Sequence, residues 1–503
     1  MAGEPMQGDD ATQQAPRKHE HEVEGEFTNL PLLAGERIWG SFDFASVMTG
    51  LGIATWAFIV GGATALYVDA KAGIAAIVIG NLVSCVLVVL AACIPCAKYG
   101  MEQATMFRSV FGVNGARVVF LVAVGLVWLG WNCVLGLMFS RSTANVSNAI
   151  AGTDIGPNSL TVTVLGLLGF LVAWLVVVKG PVSIKWFNKI VAPGLAVVTV
   201  LLLVLILYQR PWSEIAAAEA LAPIGDELTG YMLGIELGMA TGFGWWGVIG
   251  NLARLAKTQR SAFYGSMVGL FLFAVPAYVA GLLSALALGN ADPTAWMVPV
   301  AGPVLGVLAL LFVAFANVTS ITSTVYTTCL ALRLTGGRVF HRMGWTTITG
   351  LFLLGPCVAA FFPAFVFNSI ASLLAWSAVA FAPLVGIHLV DFYLLRRRQL
   401  DVRAIYDYSP GSPYAFWHGW NPAAIIALLL GGATYFVLLN PSTFEHAGTF
   451  KFVSASMPAF VVAGTAHYLL TKLFVQRVGR GGYEFAHAGG TEPVSHTTPG
   501  SGR

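Results

Sequence analysis

Charged residues are scarce in this 503-residue sequence: Asp, Glu, Lys and Arg make up 10% of it, whereas 57% of the residues are hydrophobic. Soluble globular proteins carry about a quarter charged residues, and a mean hydropathy of +0.76 is outside their usage. The net charge of only +3 also argues against a nucleic acid as a partner. The composition indicates an integral membrane protein, whose main partner is the lipid bilayer.

The sequence motifs that mark common catalytic centres are also missing. There is no G-x-S-x-G nucleophile elbow, no H-E-x-x-H zinc motif and no G-x-x-x-x-G-K-[ST] nucleotide-binding loop. We therefore expect no enzyme activity, no organic cofactor and no ATP-driven pumping by this chain alone. A secondary transporter, a channel and a non-transporting sensor remain as alternatives.

Cysteine is rare as well, and its six copies all lie within or at the ends of apolar stretches, where a free Cys behaves as a small hydrophobic residue. Cys93 and Cys96 have C-x-x-C spacing, but they close an apolar stretch and do not open a helix after a strand. The segment HEHEVEGE lies in a polar tail and lacks a closed ligand set. We expect no metal site.

Long apolar runs separated by short polar loops make up most of the chain. Stretches of about 20 residues can cross a hydrocarbon core, and dividing the sequence accordingly gives about twelve spans. The runs lack the apolar and polar alternation of barrel strands, so helices are predicted. The predicted spans are residues 44–67, 72–95, 117–139, 160–178, 188–208, 229–250, 262–288, 302–330, 345–362, 366–392, 422–439 and 454–475.

The distribution of Lys and Arg predicts the orientation of these spans. With the N-terminus on the cytoplasmic side, all but four of the 27 cationic residues lie in cytoplasmic segments. Both termini are therefore predicted to be cytoplasmic, in a multi-pass protein of the plasma membrane. Residues 1–40 and 477–503 are polar, and we predict that they are disordered tails flanking a transporter domain at 41–476. The four exceptions are Lys71, Arg141, Arg210 and Lys451.

Glycines interrupt the first and the sixth predicted span at corresponding places. The sixth span contains GMATGFGWWGVIGNLAR, and the first contains VMTGLGIATWAFIVGGA, with Trp56 among its glycines. Paired interruptions are typical of inverted-repeat transporters, whose substrate site lies where the helices unwind near the midplane. We therefore predict a first repeat over 41–208, a second over 229–392 and two extra helices over 422–475. Close helix packing is the alternative use of these glycines.

Four segments resemble the nucleobase:cation symporter family, the purine/cytosine permease-like transporters. They are ERIWGSFDFASV, WLGWN, GNLAR and, the most specific, APLVGIHLVDFYLLRRRQLDVRAIYD. The resemblance covers about residues 25–475. It implies an all-α fold of twelve helices with a LeuT-type 5+5 core, and import of a nucleobase or related planar heterocycle (purine, pyrimidine, allantoin or hydantoin type) by Na⁺ or H⁺ symport.

The resemblance also suggests which side chains contact the substrate. The family's aromatic residue and the amide four positions later fall on Trp128 and Asn132, one helical turn apart, although the family more often has Gln at the second position. An indole face and an amide suit the face and the edge of a heterocycle. In the sixth span, Phe243 or Trp245 is the expected second stacking surface. The further candidates are Trp56 and Asn317.

A cation site is implied between the first and eighth spans. The family holds Na⁺ with a hydroxyl pair and with carbonyls of an unwound first span, and oxygen ligands suit such a cation. In this sequence Ile321 replaces the Asn that follows the pair in the family. The matching residues are the hydroxyls of Thr319 and Ser320 and the carbonyls of Gly50 and Ala54.

Three further residues are candidates for coupling or gating. Glu236 is an ionisable group within a span, which either carries a coupling proton or faces a wet outer vestibule. Asn251 stands where the family often has Asp, three residues before Arg254, and the pair is a candidate gate. An amino-acid or other small-solute symporter on the same core is the nearest rival function. The identity of the heterocycle and the oligomeric state stay open.

Overall fold

The computed structural model describes residues 30–335 and 337–484, and this part of the chain is helical, with isolated β-bridges and no strand. The first span comprises α1 and α2, and the sixth comprises α7 and α8. The helices are α1 (Ser41–Gly52), α2 (Thr55–Ala65), α3 (Ala70–Tyr99), α4 (Arg108–Ala151), α5 (Leu160–Val178), α6 (Pro181–Gln209), α7 (Glu227–Gly244), α8 (Trp246–Ala253), α9 (Gln259–Leu288), α10 (Pro293–Thr335), α11 (Trp345–Ala359), α12 (Ile370–Leu395), α13 (Pro422–Leu438) and α14 (Ser456–Val478).

The predicted all-helical membrane fold is confirmed. Among the described residues, eight helices are long and apolar enough to cross a membrane, or nine when the bent pair α1 and α2 counts as one span. Two shorter apolar helices, α11 and α13, coincide with the predicted ninth and eleventh spans. The predicted start of the eighth span, residue 302, coincides with a kink inside α10, where Gly302 has a φ of 76°.

The first span is broken. Ile53 and Ala54 have extended backbone angles, and α1 and α2 meet at a 50° bend. The amide of Asn317 in α10 bridges the break, because its Oδ1 accepts a hydrogen bond from the backbone N–H of Thr55 (3.3 Å) and its Nδ2 donates to the Thr55 hydroxyl (2.7 Å). One of the free N–H groups at the start of α2 is thereby satisfied inside the protein, as an apolar medium requires.

The sixth span is interrupted at Trp245, within the predicted stretch, but its backbone does not unwind there. Trp245 keeps helical angles (φ −65°, ψ −20°), and its N–H donates to the carbonyl of Gly242 (3.2 Å). Glycines of this span serve close packing, the alternative use noted above. A Cβ at Gly242 would lie 1.9 Å from the Ser84 hydroxyl, and one at Gly250 would lie 2.3 Å from the Gln103 side chain.

The two halves pack in a reciprocal way. The helix α9, from the seventh span, packs against α2 of the first, and α3, from the second span, packs against α7 of the sixth. This exchange is the pattern expected from the predicted repeats. In addition, α10 packs along α4, so that the first, third, sixth and eighth spans meet at the centre.

The described part of the chain extends beyond the predicted tail boundaries. From Leu30 to Gly40 the chain lies against the domain, with Leu32 and Trp39 buried and Trp39 bridged to Ala256. At the other end, Tyr483 is buried and its hydroxyl donates to Asp391 Oδ1 (2.8 Å). Disorder was therefore the wrong prediction for residues 30–40 and 477–484, because single large side chains anchor these polar segments. The remaining tail residues lie outside the described part.

Candidate substrate and cation site

A small cavity of about 20 Å³ lies within the helix bundle, beside the break in the first span. A space of this size holds about one water molecule, so the surrounding side chains must move apart before a heterocycle can enter. None of the described side chains that line it is ionisable. They belong to α1, α2, α4, α7, α10, α12 and the junction of α7 with α8: Leu51, Trp56, Trp128, Trp131, Leu135, Ala240, Thr241, Gly244, Trp245, Ser320, Thr324 and Leu374.

Four tryptophans line the cavity. Trp56 lies edge-on to Trp245 with ring centroids 4.9 Å apart, and its centroid is 6.1 Å from that of Trp131. Trp128 and Trp245 are 6.1 Å apart with planes inclined by 33°. Their indole faces offer the polarised π-surfaces on which a planar ring packs favourably.

Helical spacing and the two helix interruptions position these rings. Trp128 and Trp131 are three residues apart in α4, so both side chains lie on one face. Trp56 is the second residue of α2, directly after the break, and Trp245 joins α7 to α8. The sequence analysis missed Trp131. Its three-residue spacing from Trp128 was the signal that could have identified it.

The structure brings three of the six predicted substrate contacts to the cavity: Trp56, Trp128 and Trp245. Asn132 lies between α4 and α10, where its Nδ2 donates to the carbonyl of Trp128 (2.6 Å) and its Oδ1 is 3.0 Å from the Thr324 hydroxyl. Asn317 is engaged by Thr55 at the helix break and does not line the cavity.

Phe243 is also placed away from the cavity. Its ring is buried and stacks on Phe460 of α14, with centroids 6.3 Å apart. Of the two alternative stacking surfaces predicted in the sixth span, only Trp245 therefore lies where it can contact a substrate.

An oxygen-rich cluster adjoins the cavity at the end of α1. The hydroxyls of Thr319 and Ser320 both lie 3.3 Å from the carbonyl oxygen of Gly50. The fourth predicted ligand, the Ala54 carbonyl, follows the break and accepts a hydrogen bond from Ala57 N–H (3.0 Å). Ser320 lines the cavity as well. Neutral oxygens of this kind suit a hard monovalent cation, so the residues present fit the predicted ion.

Glu236 lies neither at the cavity nor in a wet vestibule. Its side chain is buried, and Oε2 accepts hydrogen bonds from the N–H groups of Ala455 (3.0 Å) and Ser456 (3.1 Å). The Ser456 hydroxyl donates to Oε1. The carboxylate thus occupies the N-terminus of α14, where free N–H groups and the helix dipole favour a negative charge.

The predicted gating pair lies at the end of the sixth span, in a segment predicted to face the cytoplasm. Arg254 forms a fully buried ion pair with Glu102, with a nitrogen-to-oxygen distance of 3.4 Å. Asn251 accepts a hydrogen bond from the backbone N–H of Gln103 (2.8 Å). A stacked pair of rings, Phe107 on Trp246 at 4.6 Å, lies beside them. Glu102 was not identified from the sequence, since nothing marks it as the partner of a residue 152 positions away.

Comparison with known proteins agrees with this geometry. The chain is 26% identical to a purine-uracil permease of Arabidopsis thaliana over 80% of its own length and 69% of that protein. It is 22% identical to a hydantoin permease of Microbacterium maritypicum, over 86% of its length and 90% of that protein.

Among solved structures, the chain shares the fold of MHP1, a nucleobase-cation-symport-1 family transporter solved in a closed conformation with bromovinylhydantoin bound. The TM-score is 0.68 at 20% identity, and the match covers 89% of this chain and 96% of that one. The sequence profile described as "Permease for cytosine/purines, uracil, thiamine, allantoin" matches residues 31–464. Since this match extends over most of the 503 residues, the chain belongs to that permease family, and it is a membrane transporter and not an enzyme.

Proposed function

We propose that the protein imports a nucleobase or a related planar nitrogen heterocycle by sodium symport with alternating access. The observation that carries this proposal is the cavity with four tryptophans beside the oxygen cluster of Gly50, Thr319 and Ser320. The relatives named as permeases for purines, uracil and hydantoin support the same substrate class.

The cavity favours a neutral heterocycle over an amino acid. An amino acid carries an ammonium and a carboxylate, and burying either without a partner is costly. No described lining residue is ionisable, and Asn317 already occupies the first N–H of α2 at the helix break. The cavity therefore lacks the charged or backbone partners that an amino acid, the substrate of the rival function, would need.

Sodium is favoured over a proton as the coupling ion. The candidate ligands are a carbonyl and two hydroxyls, which bind a metal cation but do not titrate. Glu236, the candidate proton carrier, holds the N-terminus of α14 instead. The distribution of Lys and Arg supports cytoplasmic termini in the plasma membrane.

Flux measurements on purified protein in liposomes test this function. We expect saturable uptake of a radiolabelled heterocycle such as uracil when an inward gradient of NaCl is imposed, and little uptake with choline chloride. Uptake driven by a pH gradient without sodium would contradict the ion assignment. Non-saturable flux would indicate a channel, and saturable binding without flux would indicate a sensor. Uptake of amino acids in place of heterocycles would overturn the substrate class.

A further inference from the structure

A second cavity, of about 560 Å³, opens where the beginning of α4 meets the loop before α13 and the segment after α14. Its size falls within the range of roughly 300–1,000 Å³ for small-molecule sites. All three segments are predicted to face the cytoplasm. The cavity, called the basic cleft below, is lined by Val113, Asn114 and Arg117 of α4, by residues 407–410 and 415–419 of the loop, and by Arg480.

A tight turn in the loop gives the basic cleft its shape. The backbone N–H groups of Trp417 and Trp420 each donate to the carbonyl of the other (3.0 Å), and the two residues between them have positive φ angles, 51° at His418 and 84° at Gly419. Such angles are typical of two-residue hairpin turns. The Gly419 carbonyl accepts from the N–H of Asn114 (2.8 Å), so the turn is fixed to α4.

Two arginines line the basic cleft, and both are half-buried. Arg117 donates one hydrogen bond to Asn114 Oδ1 (3.2 Å), and Arg480 donates to the carbonyl of Phe416 and lies over the Trp417 ring, 4.7 Å from its centroid. No carboxylate of the described residues forms an ion pair with either guanidinium. Since each guanidinium carries five N–H groups, both keep donors for an anion.

The balance of charge in the basic cleft is positive. Asp407 is its one acidic lining residue in the described part of the chain, and it is exposed. The two carboxylate oxygens of Asp407 accept hydrogen bonds from the N–H (2.8 Å) and the hydroxyl (2.9 Å) of Ser409. Two guanidinium groups therefore face one carboxylate that is already engaged. Guanidinium groups bind phosphate oxygens through paired, charge-assisted hydrogen bonds.

The basic cleft lies at the boundary between apolar surface and polar loops. Val118 and Val122, which follow Arg117 in α4, are exposed, and so are Leu473 and Phe474 near the end of α14. In a membrane protein such apolar side chains face the lipid. Trp420, at the turn, is also exposed, and tryptophan is enriched at the level of the lipid head groups. The cleft is thus placed where a head group meets the protein.

We propose that the basic cleft binds the head group of an anionic phospholipid, with Arg117 and Arg480 on the phosphate oxygens and the acyl chains along the exposed apolar surface of α4. Basic pockets at the cytoplasmic ends of membrane helices are suited to such head groups. A soluble phosphate ester shares the charge but leaves the apolar surface unused. This site is separate from the tryptophan-lined cavity and does not depend on the identity of the transported substrate.

Native mass spectrometry of the purified full-length protein in detergent tests the proposal. The probes are phosphatidylglycerol and phosphatidylcholine with identical acyl chains, so that only the net charge of the head group differs. We expect phosphatidylglycerol to bind about tenfold more tightly, because the choline ammonium group offsets the phosphate charge that the two arginines recognise. Glycerol 3-phosphate, which has no acyl chains, should compete only weakly.

Variants connect this preference to the two arginines. Arg117→Gln and Arg480→Gln should each lower the affinity for phosphatidylglycerol about threefold to tenfold and leave phosphatidylcholine binding unchanged. Arg477→Gln is the matched control, because Arg477 lies three residues before Arg480 and is exposed but does not line the cleft. It removes the same charge and should keep the preference. Thermal unfolding of each variant verifies that it is folded.

Each alternative outcome would overturn a stated part of the proposal. Equal affinities of the unaltered protein for the two lipids would exclude selection of an anionic head group. A preference that persists in both folded test variants, or is lost equally in the Arg477 control, would show that the basic cleft does not cause it. Competition by glycerol 3-phosphate at concentrations equal to those of the lipid would assign the cleft to a soluble phosphate ester.

Discussion

At the scale of single residues, Ser320 has the most unusual position. Its hydroxyl lies 3.3 Å from the Gly50 carbonyl, and the residue also lines the cavity. Ion and substrate would therefore be held by neighbouring lone pairs of one side chain. Because each would polarise or order the groups that the other needs, binding of the two should be mutually favourable.

Ser320→Ala and Thr319→Ala should each lower sodium affinity about tenfold, because each removes one oxygen ligand from a small set. The measurement is the sodium dependence of heterocycle binding by the purified protein. Thr322→Ala is the control, since the Thr322 hydroxyl belongs to the same helix but bonds to the carbonyl of Thr319 (2.7 Å) and does not contact Gly50. Unaltered sodium dependence in both test variants would reject the proposed ion site.

Sequence spacing could predict some of these residues but not their partners. The aromatic at position 128 and the hydroxyls at 319 and 320 follow from pattern and resemblance; in the structure Trp128 and Ser320 line the cavity, and Thr319 lies beside Gly50. Asn132 shares the helical face of Trp128, but spacing does not show that its amide bonds back to the Trp128 carbonyl. The direction of a polar side chain depends on what the neighbouring helix offers.

At the scale of helices, the break between α1 and α2 depends on a contact distant in sequence. Asn317, 262 positions from Thr55, makes two hydrogen bonds to that residue. The sequence predicted an interruption in the first span because of its glycines, but the break lies at Ile53 and Ala54. Local composition indicates where a helix can be interrupted, whereas a tertiary contact determines the position of the break.

Asn317→Ala should lower the free energy of unfolding by about 1–3 kcal/mol, because the Thr55 N–H loses its acceptor in an apolar environment. It should also weaken sodium binding, since the Gly50 carbonyl lies just before the unsupported break. Thermal unfolding in detergent and sodium titration measure the two effects. Asn145→Ala, which removes one hydrogen bond to the Thr294 carbonyl, should leave the sodium dependence intact.

Glu236→Gln should destabilise the protein by about 1–3 kcal/mol, because an amide satisfies the N-terminus of α14 less well than a carboxylate does. The same variant should keep the pH dependence of uptake, since the carboxylate acts as a helix cap and not as a proton carrier. Thermal unfolding and uptake measured across a pH series test the two statements. A flattened pH profile with normal stability would restore the proton-coupling alternative.

At the scale of the whole molecule, hydropathy was sufficient to predict an all-helical membrane fold, because this depends on the solvent, whereas the twelve spans and their orientation stay predictions. Hydropathy could not predict the ion pair between Glu102, after α3, and Arg254, at the end of α8, whose side chains are both fully buried. Removing one partner of such a buried ion pair strongly destabilises the protein, because the other charge stays buried without compensation.

Glu102→Gln should therefore shift the population toward a form open to the cytoplasm. Cys96 reports on this change, because it is buried beside this region with its sulfur 3.4 Å from that of Met106. We expect maleimide labelling of Cys96, read by mass spectrometry, to become at least about fivefold faster. Arg210→Gln breaks an exposed pair with Glu214 and should not change the labelling rate; equal rates in both variants would exclude a gating role.

The shared position of Ser320 also has a consequence for how such proteins diversify. The hydroxyl of Ser320 contacts the Gly50 carbonyl of the oxygen cluster, and the residue forms part of the cavity wall. A substitution at position 320 that changes the coupling ion would therefore also change the substrate cavity. Related proteins that use another coupling ion should therefore also carry a compensating substitution among the tryptophans that line the cavity. Related proteins that keep sodium should tolerate more substitutions at those tryptophans.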